Sequence, residues 1–446
     1  MLVSGLLVAS LGSAASAYAA ETRVDPGFGG AGIAYVSSSS DGELIGPAEA
    51  IAIDRRDRIV AIGSDAEFFG VQARLTAKGK RDPSFGRKGL LYTTDFRRSN
   101  PIGLAYDVAI NQRGELLTTG ALGYPFDDPS SPYQCGFVSK QNTDGTLVRS
   151  FAQTGRQSVC LDRPDQVGIE SRTIAQGKSG KTVVAGRTSH GPFRSGAFIA
   201  RVRRDGKGLD KAFSGGPQTK TGVRGIVEIA PSSDGHAAIN DVRSLPDGRI
   251  LAAGPMRGSF MALRLRRNGS LDPSFGKNGI RTIDVDGDPT CLCSIAVSTL
   301  RDRQNRIVVA GYTVSNTTDL AQIAVVRLSS RGRLDSSFGD GGISRLTLPP
   351  DTEADPGTED RFVVTGAALQ TNGKIVLSGK RNGRFSLVRL KSNGKPDSSF
   401  FDGGVFTTWI RGTFGSANDV KIDSRGRIVA AGGPFDGPFA VIRIIP

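Results

Sequence analysis

One hexapeptide, LDPSFG or a close variant of it, returns seven times along the chain. Its phenylalanines are Phe28, Phe85, Phe151, Phe213, Phe275, Phe338 and Phe400, so successive copies lie 57, 66, 62, 62, 63 and 62 residues apart. Self-similarity at a long fixed period marks a repeat architecture, in which each unit is one supersecondary element that cannot bury its apolar face alone. Length alone would suggest two or three domains for 446 residues. A ring of repeats overrides that count, because every unit adds a slice of core to one domain. The units run over about residues 24–80, 81–146, 147–208, 209–270, 271–333, 334–395 and 396–446.

Each unit carries four short apolar segments. In the fifth these are GIRTI from Gly279, IAV from Ile295, RIVVAG from Arg306 and IAVVRL from Ile323. They are rich in β-branched residues and bounded by Gly, Asn and Asp, which predicts strands. The third segment reads IVAIG, LLTTG, TVVAG, ILAAG, IVVAG, IVLSG and IVAAG, ending at Gly63, Gly120, Gly186, Gly254, Gly311, Gly379 and Gly432. A continuous apolar run without polar alternation predicts burial on both faces. A propeller blade sandwiched between two neighbours has that environment, whereas a two-layer sandwich predicts alternation.

The hexapeptide explains itself locally. Its Asp can cap a short helical turn, its Pro suits the first position, and its Gly ends the turn. The Phe is then available to plug the seam between units. Two further columns accompany it. A basic residue recurs in the fourth strand at Arg74, Lys140, Arg201, Arg264, Arg327, Arg389 and Arg443, and an acid recurs in the cap at Asp82, Asp210, Asp272, Asp335 and Asp397. The second unit has Val148 in place of the acid and is also the one with Lys140 in place of Arg. The joint change predicts an Arg–carboxylate fork within each repeat, because Arg grips a carboxylate bidentately and Lys does not. Arg443 has no downstream acid and Asp25 no upstream strand, so a closed ring should bring these two together.

The IVLSG strand, the FSLVRL strand, the NG turn and the LDSSFG cap together resemble the delta-60 repeat family of bacterial, mostly exported proteins. The resemblance extends over residues 24–446, with a degenerate third cap, LVRSFAQTG, at Leu147–Gly155. It implies a β-propeller and an exported location, and it brings no activity that can be placed on a residue. Propellers have four to eight four-stranded blades. The expected fold is therefore all-β, a seven-bladed β-propeller of four-stranded antiparallel blades closed by contact of the chain ends. The strands could group as the repeats do, or the first (about 32–36) could complete the last blade.

Residues 1–20 are uncharged, apolar through Leu11 and end in Ala17-Tyr18-Ala19. This reads as a signal peptide cleaved near Ala19 or Ala20, with an uncleaved anchor as the rival. Residues 21–446 then form one domain, secreted or held at the cell surface or in the periplasm, with no later membrane span. Four cysteines suit an oxidising compartment. The repeat register favours Cys135–Cys160, leaving Cys291 and Cys293 as a local bridge or two thiols; a Cys-x-Cys metal site would supply too few ligands.

Catalytic signatures are scarce. His190 and His236 fall at unrelated loop positions, and no G-x-S-x-G elbow, H-E-x-x-H or P-loop occurs. Asp284, Asp286 and Asp288 alternate like the start of a calcium loop, but Gly287 is misplaced and Ile295 stands where the bidentate acid belongs. The segment with Asp351, Glu353, Asp355, Glu359 and Asp360 is a solvated acidic loop or part of a cation site. A net charge of +14 invites an anionic partner. A second basic column, Arg58, Lys181, Arg249, Arg306, Lys374 and Arg427 with Glu115 in the second unit, is read as unmatched charge at one edge of the ring. Nucleic acid is not expected, because the aromatic residues are mostly the buried Phe column. Three functions remain: a monomeric, non-catalytic scaffold binding a protein or anionic envelope polymer through its variable loops, a glycan hydrolase or lyase using loop carboxylates at a central channel, and a calcium-stabilised envelope component. No other cofactor is implied.

Overall fold

The computed structural model describes residues 24–37, 45–65, 70–92, 103–122, 135–161, 168–189, 195–216, 223–229, 236–286, 294–314, 321–351, 361–434 and 437–446. They form seven four-stranded antiparallel sheets, and no helix occurs among them. Blade five is representative. From inside to outside it comprises Ser294–Arg301, Ile307–Val314, Ala321–Leu328 and Ile343–Leu346, each strand paired with the next in sequence.

The second strand of every blade is buried through its first five residues, as its unbroken apolar pattern requires. The glycine ending each run faces an irregularity in the inner strand. In blade five the register slips between Ala296 and Ser298, and a Cβ at Gly311 would collide with the Ile295 carbonyl. The glycine column is thus the imprint of a bulge repeated around the ring.

Blades do not coincide with sequence repeats. The strand that opens each repeat is the outermost strand of the preceding blade. For the last blade that strand comes from the other end of the chain: Ser416–Ile422, Ile428–Gly433 and Phe439–Ile444 are completed by Ile33–Val36. The register runs from Ile33 opposite Ile442 to Val36 opposite Phe439. The Asp25 and Arg443 backbones add reach to this seam, with Asp25 N–H donating to Arg443 C=O at 2.8 Å and Arg443 N–H to Gly32 C=O at 3.1 Å.

Up-and-down connectivity divides the surface. Inner-to-second turns and third-to-outer caps lie at one end of the ring, the cap face. Second-to-third connections and the links from one blade to the next lie at the other, the loop face. Repeat-conserved turns occupy the first; connections of unequal length occupy the second. Each cap phenylalanine is at most 2% exposed, and all but Phe400 abut the turn of the following blade. A Cβ at Gly332, whose φ is +77°, would sit 3.0 Å from the Phe275 ring, and Gly276 N–H donates to Arg331 C=O at 2.9 Å in the same contact. The cap acid acts through an Asx turn, not a helix: Asp272 Oδ1 accepts from the Ser274 N–H and hydroxyl at 3.1 and 2.7 Å.

Candidate functional site

On the cap face, charges are matched in sets of three. Asp272 Oδ2 accepts from Arg264 Nε at 2.7 Å and from Arg249 at 3.1 Å. Asp82 takes Arg74 and Arg58, Asp210 takes Arg201 and Lys181, Asp335 takes Arg327 and Arg306, and Asp397 takes Arg389 and Lys374. At the joined ends Asp25 takes Arg443 at 2.7 Å and Arg427 at 3.4 Å. The second basic column is therefore matched, which corrects its reading as spare charge: each member is the second cation of a cap carboxylate. Glu115, its exception, pairs with Lys140 at 2.9 Å. The second blade has lost the acid at Val148 and inverted the turn residue, which neutralises Lys140 from the opposite side.

Six of the column arginines also lie over their own cap rings, from Arg443 on Phe28 at 4.4 Å to Arg264 on Phe275 at 5.0 Å. Four reach a carbonyl in the next blade's turn through Nη1: Arg74 to Thr143, Arg201 to Arg267, Arg264 to Ser330 and Arg327 to Ser392. Arg443 does the same to Ala77 of the first blade, across the closure. One guanidinium thus ties strand, cap and neighbouring blade. These contacts hold the cap face together.

Two predictions arise from it. Glu115→Arg alone should cost about 1–3 kcal/mol by leaving two cations without an acid, whereas adding Val148→Asp and Lys140→Arg should recover most of the loss; denaturant melts of both variants decide. The second concerns acid. Burial would raise the Asp272 carboxyl, but the Ser274 hydrogen bonds, then Arg249 and Arg264, outweigh it and hold the group at about 2. Asp82, Asp210, Asp335 and Asp397 are lowered against burial in the same way, by hydrogen bonds and cations. Unfolded Asp titrates near about 3.9, so their contribution is complete above about pH 4 and lost as pH falls toward 2. Urea midpoints should hold above that range and drop below it, and Asp272→Asn should shallow the drop.

All seven inner strands line a central cavity of about 1230 Å³. The residue at the inner-strand bulge varies around the ring, with Glu49, Tyr106, Arg172, Val297 and Thr365 once each and asparagine twice, at Asn240 and Asn418. The next position holds three aspartates that bond across seams. Asp107 accepts from Ile174 N–H at 2.9 Å, Asp241 from Thr299 N–H at 2.7 Å and Asp419 from Ile51 N–H at 2.9 Å. Thr173 serves the same purpose toward Val242 N–H at 3.3 Å. Sequence reading missed these residues, although the recurring Asp-Val pairs at 107, 241 and 419 were a visible signal. Burial pushes the Asp107 carboxyl up to about 7, with Lys421 and the Ile174 N–H pulling the other way. Burial also raises Glu49. Cations Arg243 and Lys421 lie further along the wall, paired to Asp241 and Asp419.

The remaining candidates are distributed, not gathered. Cys135 and Cys160 form a disulfide with Cα atoms 4.6 Å apart, joining the third and outer strands of blade two at the loop face; Cys291 and Cys293 lie outside the described residues. Asp286 accepts from the hydroxyls of Ser294 at 2.7 Å and Thr313 at 2.8 Å, and its N–H donates to Asp284. Asp288 lies outside the described residues, among which no group of three His, Cys, Asp or Glu side chains is placed to hold a metal. Asp351 accepts from Arg384 and from Asn382, while Glu353, Asp355, Glu359 and Asp360 are outside the described set. His236 is exposed with Nδ1 3.4 Å from the Ser195 hydroxyl, and His190 is not among the described residues.

Three stretches, residues 245–275, 305–338 and 370–400, match the family described as a domain of unknown function (DUF5122) beta-propeller. Each runs from an inner-to-second turn to a cap phenylalanine, and the matches support a β-propeller repeat family. Among curated proteins none matches the chain. Two solved structures similar to it are a glucose dehydrogenase, 12% identical with a TM-score of 0.41 over 92% of this chain and 99% of that one, and a protein of unknown function from Dyadobacter fermentans, 12% identical with a TM-score of 0.42 over 77% and 94%. The fold assignment rests on the strand pairing above, not on these likenesses.

Proposed function

We propose that this chain is an exported, non-catalytic β-propeller scaffold that binds a protein or envelope glycan through its loop face. The observation that carries the reading is the division of labour between faces. The two basic columns of the cap face are both matched by acids, so neither of them offers a standing array for a polyanion. The loop face is where connection length varies, and function on repeat scaffolds resides in such variation. The Cys135–Cys160 disulfide and the signal-like first twenty residues support an oxidising, extracytoplasmic location.

A glycan hydrolase or lyase is the second reading, favoured by the two channel carboxylates Glu49 and Asp107, both raised by burial. Glycosidases use a pair of acids. Both Asp107 oxygens already accept backbone N–H groups, from Val108 and Ile174, which leaves Glu49 without a second uncommitted acid and places the binding reading first.

The test is retention of residues 21–446 on bacterial wall polymers and envelope extracts across a salt series. Arg172→Glu, midway along the channel wall, should abolish retention, and Lys88→Glu with Lys277→Glu on the cap face should not. Retention lost only with the cap-face pair would overturn the reading. Release of reducing ends by the wild type but not by Glu49→Gln would establish the enzyme instead.

A further inference from the structure

Among the described residues the exposed large apolar side chains are Trp409, Phe414 and Ile445. Two of the three touch each other. Trp409 and Phe414 lie with ring centroids 5.6 Å apart at 71°, on the link between blades six and seven at the loop face. Trp409 is the single tryptophan of the chain.

The pair is held rigidly. Between the rings the chain makes a tight turn through Arg411 and Gly412, with φ of 51° and 74°. Ile410 anchors it with no exposed surface, and Thr413 N–H and hydroxyl both donate to the Ile410 carbonyl, at 3.1 and 2.9 Å. Gly415 N–H donates to Gly383 C=O at 2.6 Å, tying the turn to the adjoining hairpin. Phe414 lies so close on Gly383 that a Cβ there would collide with its ring. The Arg384 guanidinium backs Trp409 at 5.6 Å from the ring centroid and is itself fixed by Asp351. Both rings still face solvent, 40% and 69% exposed. Exposed, pre-ordered aromatic surface costs little further side-chain entropy when a ligand covers it.

We propose that Trp409 and Phe414 form a stacking ledge for a saccharide, which specifies the ligand class of the loop-face binding role proposed above and rests on it. Area favours this occupant over a protein. A large aromatic side chain buries roughly 150–250 Å², so the two partly exposed rings offer on the order of 200 Å². A stable protein interface needs about 800 Å² on each side, whereas one or two pyranose rings cover an area of the ledge's size. Sugar C–H groups carry partial positive charge and meet the negative faces of aromatic rings favourably. Polar groups neighbour the turn: Asn382, half-buried, precedes Gly383 and donates its amide to Asp351, and the exposed Arg411 guanidinium stacks over Tyr35 at 4.5 Å. The guanidinium can meet hydroxyl groups.

Because Trp409 is the only indole, its fluorescence reports this place alone. The intact chain is titrated with short oligomers of N-acetylglucosamine, of glucose and of galacturonate, with calorimetry of Trp409→Ala and Phe414→Ala alongside. A saturable emission change with at least one oligomer, and binding weakened by about tenfold or more in each variant, is expected. No emission change with any of the three up to about 10 mM, or calorimetric binding that ignores both substitutions, overturns the ledge. An emission shift produced by an envelope protein and by no oligomer also overturns it. Polymer retention that survives both variants but is lost in Arg172→Glu sinks the ledge and leaves the loop-face reading standing. Retention that Arg172→Glu also leaves untouched sinks both.

Discussion

Asp25→Ala should destabilise the protein by about 3–5 kcal/mol, because it strands the Arg443 guanidinium that the fold has already desolvated and takes from Arg427 one of its acids, Asp423 remaining at 2.6 Å. Arg443 and Arg427 have side chains 5% and 14% exposed and both turn to the Asp25 carboxylate. The loss should exceed that of an equivalent substitution at an internal blade. Elsewhere the chain itself runs from third strand through cap to outer strand, so a weakened fork remains covalently held. At the closure the outer strand Ile33–Val36 is held by its ladder, the Asp25 fork, Phe28 and side-chain packing, with no covalent link to the third strand beside it. Arg443→Lys, with Asp25 intact, should cost less than Asp25→Ala, since a point charge keeps one contact to the carboxylate without the fork. Denaturant midpoints of the two variants against Asp82→Ala measure the difference; equal losses at Asp25 and Asp82 would mean the closure carries no special weight.

Phe275→Ala is the second large effect, at about 3–5 kcal/mol. The ring has no exposed surface and packs with strands of two blades, against Leu251 and Ala253 on one side and Ile307 and Val309 on the other. Removing it opens a cavity that the flanking sheets cannot close, because each is held by its own ladder and by Arg264 bridging to Ser330 C=O. Phe275→Leu should keep roughly half the stability by filling volume while losing the cation–ring contact. The corresponding change at Phe400 should be milder. The blade after Phe400 is the one whose turn is interrupted by the chain ends, and Phe400 is covered instead by Phe401, with centroids 4.8 Å apart. Urea melts of Phe275→Ala and Phe400→Ala test the ranking.

The fold was legible because its fixed parts recur. Seven copies of Phe and Gly and six of Asp and Arg at one period locate the seams, the caps and the bulges without any structural information. The blade boundary was not legible, since either grouping of strands brings the ends together; the pairing of Ile33 with Ile442 decides it. The second basic column was misread for a related reason. Counting along one repeat assigns a single Arg to each Asp, while the second cation arrives from a turn two strands earlier that folding places at the same end of the blade. Glu115 held the clue, since its sign inverts in the one unit that lacks the acid. The channel aspartates escaped because they occupy three of seven blades and so break the periodicity that made the rest visible. Loop-face features are unique to single connections: Trp409 and Phe414 follow no column, and their exposure depends on the Gly383 hairpin against which they pack.

The closed ring is the claim on which the division into two faces depends, and amide hydrogen exchange of the chain tests it most directly. Closure predicts that the Ile33–Val36 amides are protected as strongly as those of Ile343–Leu346, the equivalent strand of blade five. In Asp25→Ala the Ile33–Val36 and Phe439–Ile444 segments should lose protection together. Free exchange at Ile33–Val36 beside a protected Phe439–Ile444 strand would contradict closure and the account built on it.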